Sequence, residues 1–493
     1  MSAAFIAAGC VSGNTEQYSE LKPRLVVMTD IGPADVEPDD NESAVRLLAY
    51  ADRFEIEGII TTIGWNCDPY PSEWAEYLYR VIDGYETDVT NLMKRSGQES
   101  FLPVSDECGR QIVGYWPSAD YIRERAVMGS QKAGIGVIGE DNDTPGSELL
   151  IHLADEDDDR PIWLCAWGGA NTFAQAVWKV SQTRSEAELK AFLGKFRLYT
   201  ITDQDMVYAM RFNRSYSSHQ WLRREFPQDL MLVWDESAWL NQNSLGVQNW
   251  EKYAELIQDH GTMGTVYPHY LWGVEGDTPS FLNAMPNGLN DPNDPTQVGW
   301  GGVHEFGISP DGETSAWTNW QKPLKDISNA YEHHFYPDEF NDFAARMQWV
   351  EEGRGNRNPV VVLKAKGLRA QSGQYYPESL APLRLAVKAG SMVRIDASGS
   401  YDPDGDSLSF EWWFQVPLPG GSASSAESSR TGETAVPAVN EDGSWDPSAL
   451  AGTGEVFSFR APDAPCRLDL VCEIHDDGRF SLPAYRRVII EVQ

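Results

Sequence analysis

The sequence predicts an α/β fold, a mostly parallel open sheet with helices on both faces, followed by a C-terminal antiparallel β-sandwich. Three observations lead there. Apolar strands alternate with amphipathic helices from Arg24 onward. That rhythm stops at Gly353-Arg354-Gly355-Asn356-Arg357-Asn358-Pro359, a stretch with linker composition. Beyond it come short alternating runs separated by turn residues. Strand–helix alternation implies parallel strands joined by crossovers, with ligands at the strand C-termini. The expected organisation is an N-terminal segment over 1–22, an α/β region over 23–352, a linker over 353–359 and the sandwich over 360–493.

Leu25 to Met28 is an unbroken apolar run, the mark of a strand buried on both faces. Glu42 to Tyr50 places Ala44, Leu47 and Leu48 on one face and predicts a helix. Ile56 to Ile63 predicts the second strand and Glu73 to Ile82 the second helix. Ile135 to Ile138, Pro161 to Ala166, Phe196 to Ile201 and Leu230 to Val233 predict further strands. Gly146 to Ala154, Asn171 to Val180 and Ser185 to Leu193 predict the helices between them. Residues 235–345, rich in Trp, Asn, Gly and Pro with little periodicity, predict long ordered loops carrying a few helices. After the linker, strands are expected at Val360 to Leu363, Leu383 to Val387, Ser391 to Ile395, Ser407 to Phe414, Leu468 to Ile474 and Arg486 to Val492. The Ser/Gly/Ala/Glu-rich stretch from Leu418 to Ser444 reads as an insertion.

Composition narrows the function. Against 39 Lys and Arg stand 74 Asp and Glu, a net charge of −35, which argues against a nucleic-acid partner because phosphate binding needs a basic face. A spanning helix needs about 20 apolar residues in a row, and no such run occurs. The 18 Trp and 20 Tyr suit stacking on sugar rings, although cores and loop anchors use the same side chains. Ala3 to Ala8 ends in Gly9-Cys10, which resembles the end of a bacterial lipoprotein signal with a lipidated Cys. It predicts an extracytoplasmic protein, secreted or anchored at Cys10; the alternative is a flexible tail. Cys466 and Cys472 lie six apart on one expected strand, so a bridge between them needs a sharp bend.

The strongest chemical signal follows the first strand: Asp30-Ile31-Gly32, then Asp39-Asp40 opening a helix. Carboxylates gathered at one point repel unless a cation or protons neutralise them, and an irregular oxygen cage suits Ca2+. Helix capping is the competing explanation for Asp39 and Asp40.

This segment, with Ile59-Ile60-Thr61-Thr62-Ile63-Gly64-Trp65-Asn66, Trp163 to Thr172 and Glu275-Gly276-Asp277-Thr278-Pro279, resembles the nucleoside hydrolase family in motif and order. That family opens on D-x-D-P-G-x-D-D and ends its second strand in T-x-x-G-N. The resemblance implies a calcium-dependent hydrolase of N- or O-glycosidic bonds. Asp30 would touch the metal and act as general base on a water held there. Asp40, Asp277 and the backbone carbonyl of Trp167 would be metal ligands. Asp39, Asn66 and Asp277 would contact the sugar, and Asp203 and Asp205, after the fifth apolar strand, would be substrate contacts. Such a mechanism passes through an oxocarbenium-like state that nearby negative charge stabilises. Within this fold the chain is most similar to bacterial exported proteins with a β-sandwich tail, described as cellulose-binding.

The chain departs from the family in three places. Met28 replaces the first Asp, Pro33 to Glu37 are inserted with Asp35 as a competing ligand, and Gly276 stands where a His precedes the last Asp. Glu275, Glu305, His269 and His304 are the candidates to replace that His as an acid. A carbohydrate-binding protein without turnover, or a true nucleosidase, are the alternatives to a glycosidase acting on a small glycoside. In the sandwich, Asp402-Pro403-Asp404-Gly405-Asp406 resembles the turns of cadherin- and PKD-like modules and reads as a solvated turn. Trp412 and Trp413 point to opposite faces of a strand, predicting one in the core and leaving the other free for exposure.

Overall fold

The computed structural model describes residues 20–493, apart from 108, 110, 206–215, 372–374, 417 and 419–450. Cys10 and nearly all of the insertion expected from Leu418 to Ser444 lie outside the described residues.

Eight strands form the larger sheet: β1 (Arg24–Thr29), β2 (Glu55–Thr61), β3 (Ala126–Met128), β4 (Ile162–Ala166), β5 (Phe196–Ile201), β6 (Met231–Asp235), β7 (Glu305–Ile308) and β8 (Ser315–Thr318). Their order is β3-β2-β1-β4-β5-β6-β8-β7, parallel throughout except for the edge strand β7. Every residue of β1, β2 and β4 is buried, the apolar ones as strands covered on both faces require and the charged Arg24, Glu55 and Glu57 in ion pairs. Connections run one way from β1 through β2 to β3 and the other way from β4 onward. The ends of β1 and β4 therefore flank the switch point, where crossovers diverge and leave a crevice.

The helices used below are α1 (Pro38–Ala49), α2 (Ala75–Ser96), α3 (Pro145–Asp155), α4 (Asn171–Thr183), α5 (Glu186–Lys195), α6 (Ser218–Glu225), α7 (Ala238–Gln248), α8 (Thr278–Leu282) and α9 (Leu324–Glu352). One core, containing Leu25, Val27, Leu47 and Leu48, lies under α1, α2 and α9. The opposite core, containing Val26, Met28, Leu150, Phe173 and Leu193, lies under α3, α4 and α5.

Two expectations fail in this region. Ile135 to Ile138 is not a strand; Ile135–Val137 is a half-exposed 3-10 turn, bounded by Gly134 and Gly139 with positive φ. A four-residue apolar run has no length with which to separate strand from loop, and the sheet instead takes Ala126–Met128. The 235–345 region also holds more regular structure than its composition implied. It supplies the β7–β8 hairpin and most of the 29-residue helix α9. The buried residues of α9, among them Tyr331, Phe335, Asp338, Phe340, Phe343 and Met347, surround the helix and leave no apolar stripe to read.

The second face of α9 is covered by the C-terminal strands. β9 (Arg369–Ala370), β10 (Leu383–Val387), β12 (Leu408–Phe414), β13 (Gly452–Thr453), β15 (Cys466–Asp476) and β16 (Pro483–Val492) form a sheet ordered β13-β12-β15-β16-β10-β9. It is antiparallel but for the β10–β16 pair. β11 (Met392–Asp396) and β14 (Val456–Arg460) form a separate antiparallel ladder, and a core of Val393, Ile395, Trp412, Phe457, Cys472 and Val488 joins the two. The strand expected at Val360 to Leu363 is reduced to a single bridge from Val360 to Tyr401. Cys466 and Cys472 both lie on β15 and are unbridged. Asp404 in the Asp-rich turn pairs with Arg95 of α2 and with Arg357, fastening the turn to the larger sheet's helical layer.

Trp412 and Trp413 do point to opposite faces, yet both are fully buried. Trp412 enters the sandwich core. Trp413 packs against Tyr331 and Phe335 of α9, with centroids 5.9 and 6.1 Å away, so neither is free for a ligand. Beside it, Trp413 Nε1 donates to Glu473 Oε2 at 2.7 Å, and His475 Nε2 lies 2.9 Å from Asp338 Oδ1. Burial opposes the His475 charge. The hydrogen bond to Asp338 and the charges of Asp338, Glu473 and Glu411 outweigh it and raise the imidazole to about 9. A His raised in this way stabilises the fold below its unfolded value of about 6.5, and the contribution is lost as pH climbs through 9. His475→Gln is expected to cost on the order of 2 kcal/mol below pH 6 and little at pH 10. Thermal denaturation of both proteins across that range reads the gap, and a constant gap refutes the account.

Candidate active site and metal centre

The site forms where β1 ends. Thr29 closes the strand and donates its hydroxyl to Asp40 Oδ1, while its Oγ1 accepts the Ile31 N–H at 3.0 Å. Helix α1 begins at Pro38, four residues earlier than the apolar pattern indicated, because proline needs no N–H partner in a first turn. Asp39 and Asp40 therefore occupy its first turn, beside free N–H groups and the positive end of the helix dipole. Asn41 Nδ2 donates to the carbonyls of Gly32 and Glu37, both at 2.8 Å, and folds the inserted residues back on the helix.

That fold-back decides which inserted carboxylate enters. Asp35, the expected competitor, is exposed. Glu37 is 6% exposed and lies with Asp30 and Asp40 in one group whose ligand atoms are all within 4.8 Å of one another. Asp39, Asp40 and Asp277 form a second such group, sharing Asp40 with the first. Asp277 arrives from the start of α8, which is tied to α1 by Thr278 Oγ1 to Ser43 Oγ at 3.1 Å and by the Glu275 N–H to Glu42 Oε2 at 2.7 Å. Side chains more than 200 residues apart thus converge, and Asp30, Asp39, Asp40 and Asp277 share one site.

The glycines of the adjoining motifs make room for Asp30. A β-carbon at Gly64 would overlap its carboxylate. One at Gly168, after β4, would lie 2.9 Å from Asp30 Oδ1 and 2.6 Å from the Ile63 carbonyl. Trp167 is held beside Asp30 by its N–H to the Met28 carbonyl at 2.8 Å, and its indole donates to Ser280 Oγ at 2.7 Å.

The electrostatics are severe. Burial, then the charge of Asp39, pushes the Asp30 carboxyl up to about 7. Burial raises Asp39 to about 6. Burial first, and then the neighbouring carboxylates, drives Glu37, Asp40 and Asp277 well above the usual range. Two like charges 4 Å apart cost about 4 kcal/mol at an effective dielectric of 20. Both oxygens of Asp30, Oδ1 of Asp39, Oδ2 of Asp277 and Oε1 of Glu42 are buried without a hydrogen-bond partner. Among the described residues, none of these acids has a Lys, Arg or His within ion-pair distance. Unpaired acceptors and uncompensated charge in one place are the donor set of a hard divalent cation.

Other expected residues fall elsewhere. Asn66 is exposed and donates to Glu37 Oε1 at 2.7 Å, so it reaches the cluster's rim through Glu37. Asp203 and Asp205 are buried, and their carboxylates already accept hydrogen bonds from the protein. Asp203 Oδ2 accepts from Ser217 and Gln220 at 2.8 and 2.7 Å, and Asp205 accepts from Ala170, Ser218 and His219. Helix starts near β5 demanded those acceptors, a need invisible in the local sequence. Burial works against the Asp203 charge, but His219 and the hydrogen bonds carry it down to about 2.

None of the four acid candidates joins the cluster. Glu275 is held by Arg46 at 2.5 Å and Tyr267 at 2.9 Å. His269 stacks on Tyr270 at the surface, His304 is buried beside Asp235, and Glu305 begins the edge strand β7. Glu37 and Glu42 escaped the sequence reading. The signal for Glu37 was its spacing three residues before Asp40 once the helix is started at Pro38.

Residues 24–304 match the family model described as cellulose-binding Sde182, nucleoside hydrolase-like domain. The chain belongs to this family. Residues 392–492 of this Sde182-family chain match a second model, the cellulose-binding protein Sde0182 C-terminal domain. A solved nucleoside hydrolase-related protein from Saccharophagus degradans, associated with carbohydrate metabolism, is 31% identical with a TM-score of 0.70. The alignment covers 96% of this chain and 100% of that one. The type III effector XopQ, solved with adenosine diphosphate ribose, aligns over 67% of this chain and 95% of its own at a TM-score of 0.32 and 9% identity, too weak to bear on fold or function. No curated protein matches the chain.

Gly64→Ala, three residues beyond β2, should displace the Asp30 carboxylate while sparing the strand. The expected result is a folded protein whose melting temperature no longer rises with added divalent cation. The wild type should gain about 2.7 kcal/mol at a cation concentration 100 times its Kd. An equal rise in both proteins would separate Asp30 from cation binding.

Proposed function

We propose that the cleft binds calcium and hydrolyses a glycosidic bond of a small glycoside, such as a fragment of plant polysaccharide, with Asp30 as general base. The observation that carries this reading is the Asp30 carboxylate, buried between Gly64 and Gly168 with neither oxygen hydrogen-bonded. Asp30, Asp40 and Asp277, with Glu37 as an added acid, are the residues that would hold the ion, with the Trp167 carbonyl proposed as a further ligand. Calcium acidifies water less than zinc does, so a base of raised pKa carries more of the work. Asp39, half-buried and grouped with Asp40 and Asp277, would orient sugar hydroxyls. The surrounding carboxylates favour positive charge developing at the anomeric carbon. The cellulose-binding description of both matching models fits a carbohydrate ligand and an extracytoplasmic protein.

A second reading, carbohydrate binding without turnover, has its own support. None of the four candidate acids stands in the cluster, and position 276 carries no side chain.

Release of reducing sugar from oligosaccharides and nucleosides, with calcium and with chelator, separates the two. Turnover should require calcium and fall at least 1,000-fold in Asp30→Asn with the fold intact, about 4 kcal/mol of lost barrier reduction. Turnover that survives chelation or this substitution sinks the proposed mechanism. Calcium-dependent affinity without any turnover selects the binding reading.

A further inference from the structure

Helix α7 lies beside Asp39, and it holds polar atoms without a protein hydrogen-bond partner. Asp235, at the end of β6, starts the helix by accepting the N–H groups of Ala238 at 3.0 Å and Trp239 at 2.9 Å. Trp239 and Asn243 are four residues apart and so share one face of it. Trp239 meets Trp65 edge-on, with ring centroids 6.3 Å apart, and Trp65 directly precedes the rim residue Asn66. Asn243 lies against two glycines: a β-carbon at Gly273 would overlap its side chain, and one at Gly276 would stand 2.9 Å from its Oδ1. The same point is 3.0 Å from Asp39 Oδ2. The Asn243 carboxamide and the Asp39 carboxylate thus meet over Gly276, one residue from Asp277.

Asn243 Oδ1 and Trp239 Nε1 are buried without hydrogen-bond partners. Both side chains are themselves only partly buried, so one acceptor and one donor without a protein partner lie on a single helix face next to the acidic cluster, within reach of a ligand. The ligand must be uncharged or cationic, because Asp39 adjoins the carboxamide. Sugar hydroxyls fit the pair, since a hydroxyl can donate to an acceptor such as Oδ1 and accept from a donor such as Nε1.

We infer that Trp239 and Asn243 form the sugar-recognition wall of this cleft, with Asn243 selecting a neutral sugar hydroxyl. This rests on reading the cleft as a carbohydrate site and adds which residues set its specificity. A carboxamide delivers no proton, so Asn243 recognises substrate and is not the acid of the reaction.

Isothermal titration with cellohexaose, in calcium-saturated full-length protein, tests the assignment. Asn243→Ala should weaken sugar affinity about tenfold or more, the order of one lost buried hydrogen bond, and leave calcium affinity within about twofold. Asn243→Ser, smaller but polar, should fall between the two and serves if the alanine variant does not fold. Unchanged sugar affinity in the variants overturns the inference and leaves the proposed function standing. Equal losses of calcium and sugar affinity also overturn it, because Asn243 would then only support Asp39 and Asp277. A wild type that binds no cellohexaose removes the carbohydrate reading and this assignment together.

Discussion

Buried negative charge without a counter-charge is the constraint on which this structure depends. Asp30, Glu37, Asp39, Asp40 and Asp277 are brought together at the diverging ends of β1 and β4, where each raises its neighbours' cost of ionisation. Elsewhere several buried charges are paired: Arg24 with Glu57, Arg160 with Glu55, Arg346 with Asp52, Arg46 with Glu275. A buried charge left unpaired costs several kcal/mol. Other buried acids, among them Glu332 and Glu339, also lack an ion pair, but among the described residues only here do five acids gather at one point, and that gathering is what supports the proposed cation.

Much of the surrounding architecture serves the same end. Gly64 and Gly168 give up side chains so that Asp30 fits. Thr29 fixes Asp40, and Glu42 and Ser43 tie α1 to the segment carrying Asp277. Asp235 sets the start of α7 and so the placement of Trp239 and Asn243. Asp203 and Asp205 spend their oxygens at the start of α6, and Asp205 also on the N–H of Ala170 just before α4.

The C-terminal strands are more than an appendage. Trp413, Val471 and Tyr485 belong to the same apolar core as Leu25 and Val27, and α9 lies between the two sheets. Arg487 reaches back to the carbonyls of Leu289 and Val298, in the loops that follow α8. The sandwich therefore braces the loops that follow the last cluster carboxylate.

The sequence by itself determined the strand rhythm, the family, and four of the carboxylates in the cluster, because each sits in a local motif at a strand end or helix start. Helix α9 was illegible because burial on every side erases the periodicity by which helices are recognised. Exposure of Trp413 depended on what covers the outer face of β12, which only packing decides. Whether Asp35 or Glu37 enters the cluster turned on one Asn41 side chain closing the insertion. Asp203 and Asp205 lay after the right strand, but their oxygens accept from groups of other segments, the Ser217 and Gln220 side chains for Asp203 and the Ala170 and His219 N–H groups and Ser218 hydroxyl for Asp205. Local spacing shows where a charged side chain begins. Where it ends depends on which distant donors and acceptors the fold brings to it.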